Sequence, residues 1–165
     1  MAHRIAQFLG HLTARVDAGE EEHARSLLPE RAWPLFAQMP VADRRHALDV
    51  AGRLVAAGHL DEDLLTAALL HDAAKGGRMR LWHRVSGVLL EAIAPRLLAR
   101  LASADERSWR YPFHLYLQHA ALSADAALAV GCGARAAAFI RGTAKPSDAA
   151  LAAALRDADE GKLTP

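Results

Sequence analysis

Residues 64–75 read LLTAALLHDAAK, an apolar run that ends in a histidine, an aspartate and, three residues later, a lysine. Leucine and alanine are strong helix formers, and the run is long enough for several turns. The reading predicts a helix that continues to the Gly76-Gly77 stop, with Leu64, Ala68, His71, Asp72 and Lys75 on one face. Such a helix is apolar nearly all round and belongs in a core. Its inner end then carries an imidazole and a carboxylate into low dielectric, which is costly unless both find partners. Those partners must come from elsewhere in the chain.

Working outward, HALDVAGRLVAA at residues 46–57 belongs to a long helix from about Val41 to Gly58, with Asp43 as the cap. The loop HLDED at residues 59–63 brings acids to the start of the next helix. Upstream, Pro29, Pro34 and Pro40 break residues 20–40 into short helices. Ile5, Phe8, Leu9 and Leu12 fall at helical spacing within Ala2–Val16, and Asp17, Gly19 and Glu20 to Glu22 read as that helix's exit. Downstream, residues 79–102 read as two helices split at Pro95, residues 111–131 as one or two split near Ser123, and residues 133–142 as another. Ser147 is the expected cap of the last helix, which ends near Glu160. The expected fold is all-α, a single compact bundle of about eight helices. N-terminal helices in residues 1–40 are expected to pack on a core formed by residues 41–165.

Composition agrees. The 165 residues include 38 Ala and 25 Leu but only 14 Val, Ile and Thr together, which suits helices and starves a sheet. Apolar residues make up 52% and charged residues 24%, so one core can form and disorder is disfavoured. The formal net charge of +1 gives no broad positive field, and nucleic acid is unsupported as a partner. Cys132 is the only cysteine, which excludes an intrachain disulfide and a Cys zinc cluster. No apolar run approaches the roughly 20 residues that span a bilayer, and the start MAHRIAQFLGHLTARV lacks the apolar stretch of a signal peptide. A cytoplasmic protein with no membrane partner is expected. The apolar helix faces of an Ala/Leu-rich bundle would suit a homodimer. Trp82, Trp109, Tyr111, Phe113 and Tyr116 read as core or groove packing rather than as base-stacking platforms.

A His-Asp dipeptide alone is uninformative, so the order of the other ligand-type residues matters. His46 stands in RRHALDVAGRLVAAG, His71-Asp72 follows 25 residues later, and LRDADEG closes the series with Asp157 and Asp159. This order, with LLHDAAKG as its centre, resembles the HD superfamily of metal-dependent phosphohydrolases over His46 to Asp159. The resemblance implies that His46, His71, Asp72 and Asp159 hold one divalent ion inside a helical bundle. Asp159 is preferred to Asp157 because the last motif of the family reads Ala-Asp after an apolar helix.

Two imidazoles and two carboxylates suit Mn, Fe, Co, Ni or Mg, and four ligands in an octahedral set leave two positions open. An ion held this way activates water and polarises a phosphoryl oxygen. The function implied is hydrolysis of a small phosphate ester or nucleotide, with Asp72 and Lys75 as the catalytic pair. Lys75, Arg78, His119 and Arg141 are the expected contacts to this small phosphorylated substrate. Lys75, Arg78, Arg80, Arg84, Arg96 and Arg100 against Glu91 alone give residues 73–100 a local excess of +5. The departures from the family are Ala74 for Gly, Ser123-Ala124 for Gly-Ala after His119, and Gly142-Thr143 where relatives carry another histidine. They imply a single metal per chain, and they motivate an alternative: a catalytically silent HD domain that binds metal or nucleotide as a regulatory module.

Overall fold

The computed structural model describes residues 15–163, and among them the chain is all-α. Nine helices follow in order: α1 (Ala18–Leu27), α2 (Trp33–Ala37), α3 (Val41–Ala56), α4 (Glu62–Leu70), α5 (Leu81–Ile93), α6 (Pro95–Leu101), α7 (Tyr111–Ala129), α8 (Ala134–Arg141) and α9 (Ala149–Asp159). Short 3-10 turns at Glu30–Ala32, Ala73–Lys75 and Pro146–Asp148 join some of them. The body of the expected Ala2–Val16 helix lies outside the described residues.

Helix α4 occupies the centre. Every residue from Leu64 to Leu70 is buried, as an all-round apolar helix requires. It packs against α1, α2, α3, α7, α8 and α9. Each fully buried leucine stabilises by about 1.5–3 kcal/mol relative to an exposed one. Ala24, Leu28, Ala32, Phe36 and Met39 share this one core with α3, α4, α8 and α9, so residues before Val41 join the same layer.

Several expectations need correction. Asp17 and the glutamates, expected at a helix exit, open a helix of their own. Asp17 accepts the Glu20 amide at 2.8 Å and Glu20 reaches back to the Asp17 amide at 3.2 Å, a reciprocal capping box. Asp43 does not cap α3, whose first turn follows Pro40. It is 1% exposed and forms a fork-to-fork pair with Arg84 of α5, Nη1 and Nη2 donating at 2.8 and 2.7 Å. Of the two alternatives for residues 111–131 the single helix holds: α7 is unbroken at Ser123. Ser147 lies inside the turn before α9 and does not cap it. Trp82 and Trp109 are 52% and 66% exposed, so neither is core.

The correction that matters most is at LLHDAAK. The α-helix stops at Leu70, His71 takes the cap position, and Ala73–Lys75 tightens into a 3-10 turn. Asp72, at φ −106° and ψ 6°, lies in the sparsely populated bridge region. Ser123 of α7, fully buried, accepts the Ala74 amide on its Oγ at 3.0 Å and holds the turn in place. Gly76, at φ +54°, then releases the chain toward α5 through a conformation that side chains resist.

Candidate metal centre

Ending α4 at Leu70 leaves its last carbonyls without helical donors. The Ala68 carbonyl takes the His71 Nδ1–H at 2.9 Å. A carbonyl can only accept, so Nδ1 carries a proton and Nε2 is the atom presented to the interior. This is the orientation in which a histidine serves as a ligand, with the other ring nitrogen anchored. The same device recurs in α7, where His119 Nδ1 donates to the Tyr116 carbonyl at 2.9 Å and Nε2 points at Asp72.

Around His71 Nε2 the chain gathers carboxylates from two directions. Asp159, the last residue of α9, has Oδ1 at 3.6 Å, and Asp72 has Oδ2 at 3.7 Å. His46, midway along α3, places Nε2 at 2.8 Å from the same Asp159 oxygen, and its ring meets the His71 ring edge-on at 5.3 Å. Ligand atoms of His46, His71 and Asp159 all lie within 4.8 Å of one another, a group that could hold a metal ion. Arg53 fixes the α9 end of this arrangement: its guanidinium donates to the Ala158 carbonyl at 2.9 Å, one residue before Asp159.

Asp72 stands on the other side of His71, 2% exposed. Lys75 Nζ donates to its Oδ2 at 2.6 Å, while its Oδ1 is buried without a hydrogen-bond partner and faces His119 Nε2 at 3.8 Å. His71 Nε2 is likewise buried without a hydrogen-bond partner. Unsatisfied buried polar atoms are rare, and two of the three found among the described residues lie in this cluster, the third being Arg44 Nε. The two fit a cation held by this set.

The charges of the cluster set its titrations. Burial works against a charged His71, but the Asp72 and Asp159 carboxylates outweigh it and hold its pKa up at about 9. Burial also opposes ionisation of the two acids, yet Lys75 and the histidines keep Asp72 well below the usual carboxylate range, and His46 and His71 do so for Asp159. His119 goes the other way. Burial and then the Lys75 charge push it below its ordinary value, so a neutral imidazole offers its Nε2 lone pair. With Asp159 at 46% and His119 at 32% side-chain exposure, the cluster opens to solvent on that side.

Of the residues named from sequence, the structure brings together His46, His71, Asp72, Lys75, His119 and Asp159. Arg78 and Arg141 are not part of the gathering. Arg78 is exposed, donates to the Glu106 carbonyl and lies over the Tyr111 ring at 4.9 Å. Arg141 pairs with Asp125 at 2.5 Å on the surface. Ser123 and Arg53 were not assigned these positioning roles from sequence. A serine amid the alanines of α7 and an arginine two turns after His46 were the available signals. A groove of about 470 Å³ between α1 and α3, lined by His23, Arg45, Leu48, Asp49 and Gly52 among others, contains none of the cluster.

Compared with family models, curated proteins and solved structures, the chain matches none.

Proposed function

We propose that the chain is an HD-type metal-dependent phosphohydrolase that holds one divalent ion with His46, His71, Asp72 and Asp159 and acts on a small phosphate ester or nucleotide. The observation that carries this reading is the meeting of His46, His71 and Asp159, drawn from α3, the end of α4 and the end of α9, within 4.8 Å. When bound, such an ion supplies Lewis acidity and activates water at neutral pH. The chain's own residues do the rest. The Ala68 carbonyl and Arg53 hold two of the ligands in place. Lys75 offsets the Asp72 charge and stands where it can pass to a phosphoryl oxygen. His119, neutral and anchored at Nδ1, presents Nε2 at the open side for a substrate oxygen or its proton.

One observation favours the second reading, a silent binding module. Arg78 and Arg141, two of the expected substrate contacts, are engaged elsewhere. The two readings separate in one experiment: elemental analysis of the purified protein, with turnover on a panel of phosphoesters and nucleotides after reconstitution with Mn, Fe, Co, Ni or Mg. The phosphohydrolase reading expects about one ion per chain, and turnover that His71→Ala and Asp159→Ala both abolish. Stoichiometric metal with no turnover under any ion selects the silent module. Full turnover in both variants, or neither metal nor nucleotide bound, removes both readings.

A further inference from the structure

Helices α5 and α6 leave a row of large apolar side chains on the surface. Trp82 is 52% exposed, Val85 45%, Leu89 57% and Ile93 78%. Steps of three and four residues put these four on one side of α5. Leu97, 48% exposed, continues the row onto α6. At the other end Trp109, 66% exposed, joins through Phe113, whose ring both indoles meet edge-on at 6.2 and 6.4 Å. Single exposed leucines are ordinary, but a continuous row marks a docking face.

Charge decides what docks. Arg80 at one end of the row and Arg96 and Arg100 at the other are exposed. Within α5 and α6 the one acid is Glu91, which accepts the Tyr116 hydroxyl at 2.6 Å, and before Trp109 the exposed Asp105 and Glu106 stand beside the exposed Arg107. A second copy of the chain would bring the same arginines against these. Residues 1–14 bring Arg4, His3 and His11 and no acid at all, so they offer no counter-charge either. The complementary partner is anionic. An apolar face with two exposed indoles in it and arginines at its ends suits an anionic bilayer interface, where aromatic rings settle at headgroup depth and guanidinium groups meet phosphates.

We infer that α5 and α6 dock on an anionic lipid surface, lying in the headgroup plane with Trp82, Val85, Leu89, Ile93 and Leu97 dipped toward the acyl chains and Arg80, Arg96 and Arg100 on the phosphates. This departs from the sequence expectation of no membrane partner, which rested on the lack of a spanning segment. Lying on a bilayer is a different property.

The test is co-sedimentation of the full chain with phosphatidylcholine vesicles, with and without phosphatidylglycerol, while tryptophan emission is recorded. Binding to the anionic vesicles with a blue shift is expected, weakening as salt is raised. Each arginine near an anionic surface is worth about fivefold in partition, so Arg96→Gln with Arg100→Gln should lower binding about 25-fold. Leu89→Asp with Ile93→Asp should abolish it. Both pairs lie on exposed positions, so circular dichroism and metal content should be unchanged. Three results would overturn the inference: no sedimentation with either vesicle, equal sedimentation with both, or a dimer by analytical ultracentrifugation that Ile93→Asp dissociates. The last would assign the face to a second copy.

Discussion

At the scale of single residues, His71 is the group on which folding and binding meet. Its pKa rises from 6.5 to about 9 in the folded chain because two carboxylates face it. A raised folded value contributes stability that is full below pH 6.5 and lost as pH climbs through about 9. Asp72 and Asp159 are lowered, so their contribution is present above the ordinary carboxylate range and lost as pH falls through their folded values. Urea denaturation of chelator-treated protein should therefore show its highest midpoint between the ordinary carboxylate and histidine values, and a decline from pH 6.5 toward 9. A midpoint still rising over that upper interval would contradict the ion-pair account. Arg53 makes a second residue-scale case. It touches no ligand, only the carbonyl before Asp159. Arg53→Met should leave the fold intact but weaken metal affinity about 10–100-fold, the usual cost of losing an outer support, with Arg53→Lys partly restoring it in a calorimetric titration.

At the scale of elements, the helices after Val41 were largely legible because apolar spacing, Pro95, Gly58 and Gly142 mark bodies and ends in the local sequence. The start of α1 was not. Acids after Asp17 are consistent with a helix leaving or entering, and only the reciprocal Asp17–Glu20 bonds tell which. The break at His71 was hidden for a different reason. Ala73, Ala74 and Lys75 all favour helix, and what stops them is a tertiary bond from Ser123, 49 residues away. The residues that cluster around His71 could be named from their order, whereas the surface placement of Arg78 and Arg141 depends on packing that local pattern does not encode. Packing also decides the sign of a substitution at Gly87. Glycine inside a helix ordinarily costs about 0.5–1 kcal/mol relative to alanine. Here a Cβ would stand 2.7 Å from the Tyr116 ring, where α5 crosses α7. Gly87→Ala should therefore destabilise, by about 1–3 kcal/mol as overpacked sites do, and Tyr116→Leu in the same chain should recover part of the loss in thermal unfolding.

At the scale of the whole molecule, His46, His71 and Asp159 come from α3, the end of α4 and the end of α9, so the group that could hold a metal ion exists only in the assembled bundle. Adding Mn²⁺ at a hundred times its dissociation constant should stabilise the chain by about 2.7 kcal/mol, read as a rise in melting temperature that His46→Ala removes. An equal rise in that variant would place the ion elsewhere. The contact between His46 and Asp159 spans 113 residues of chain. During synthesis at about 5–20 residues per second, roughly 6–23 s separate the two. Over that interval α3 and α4 are already made, and His46 and His71 exist without the carboxylate that joins them. A nascent chain therefore cannot close the three-residue ligand group early, and the time at which it closes is set by the ribosome.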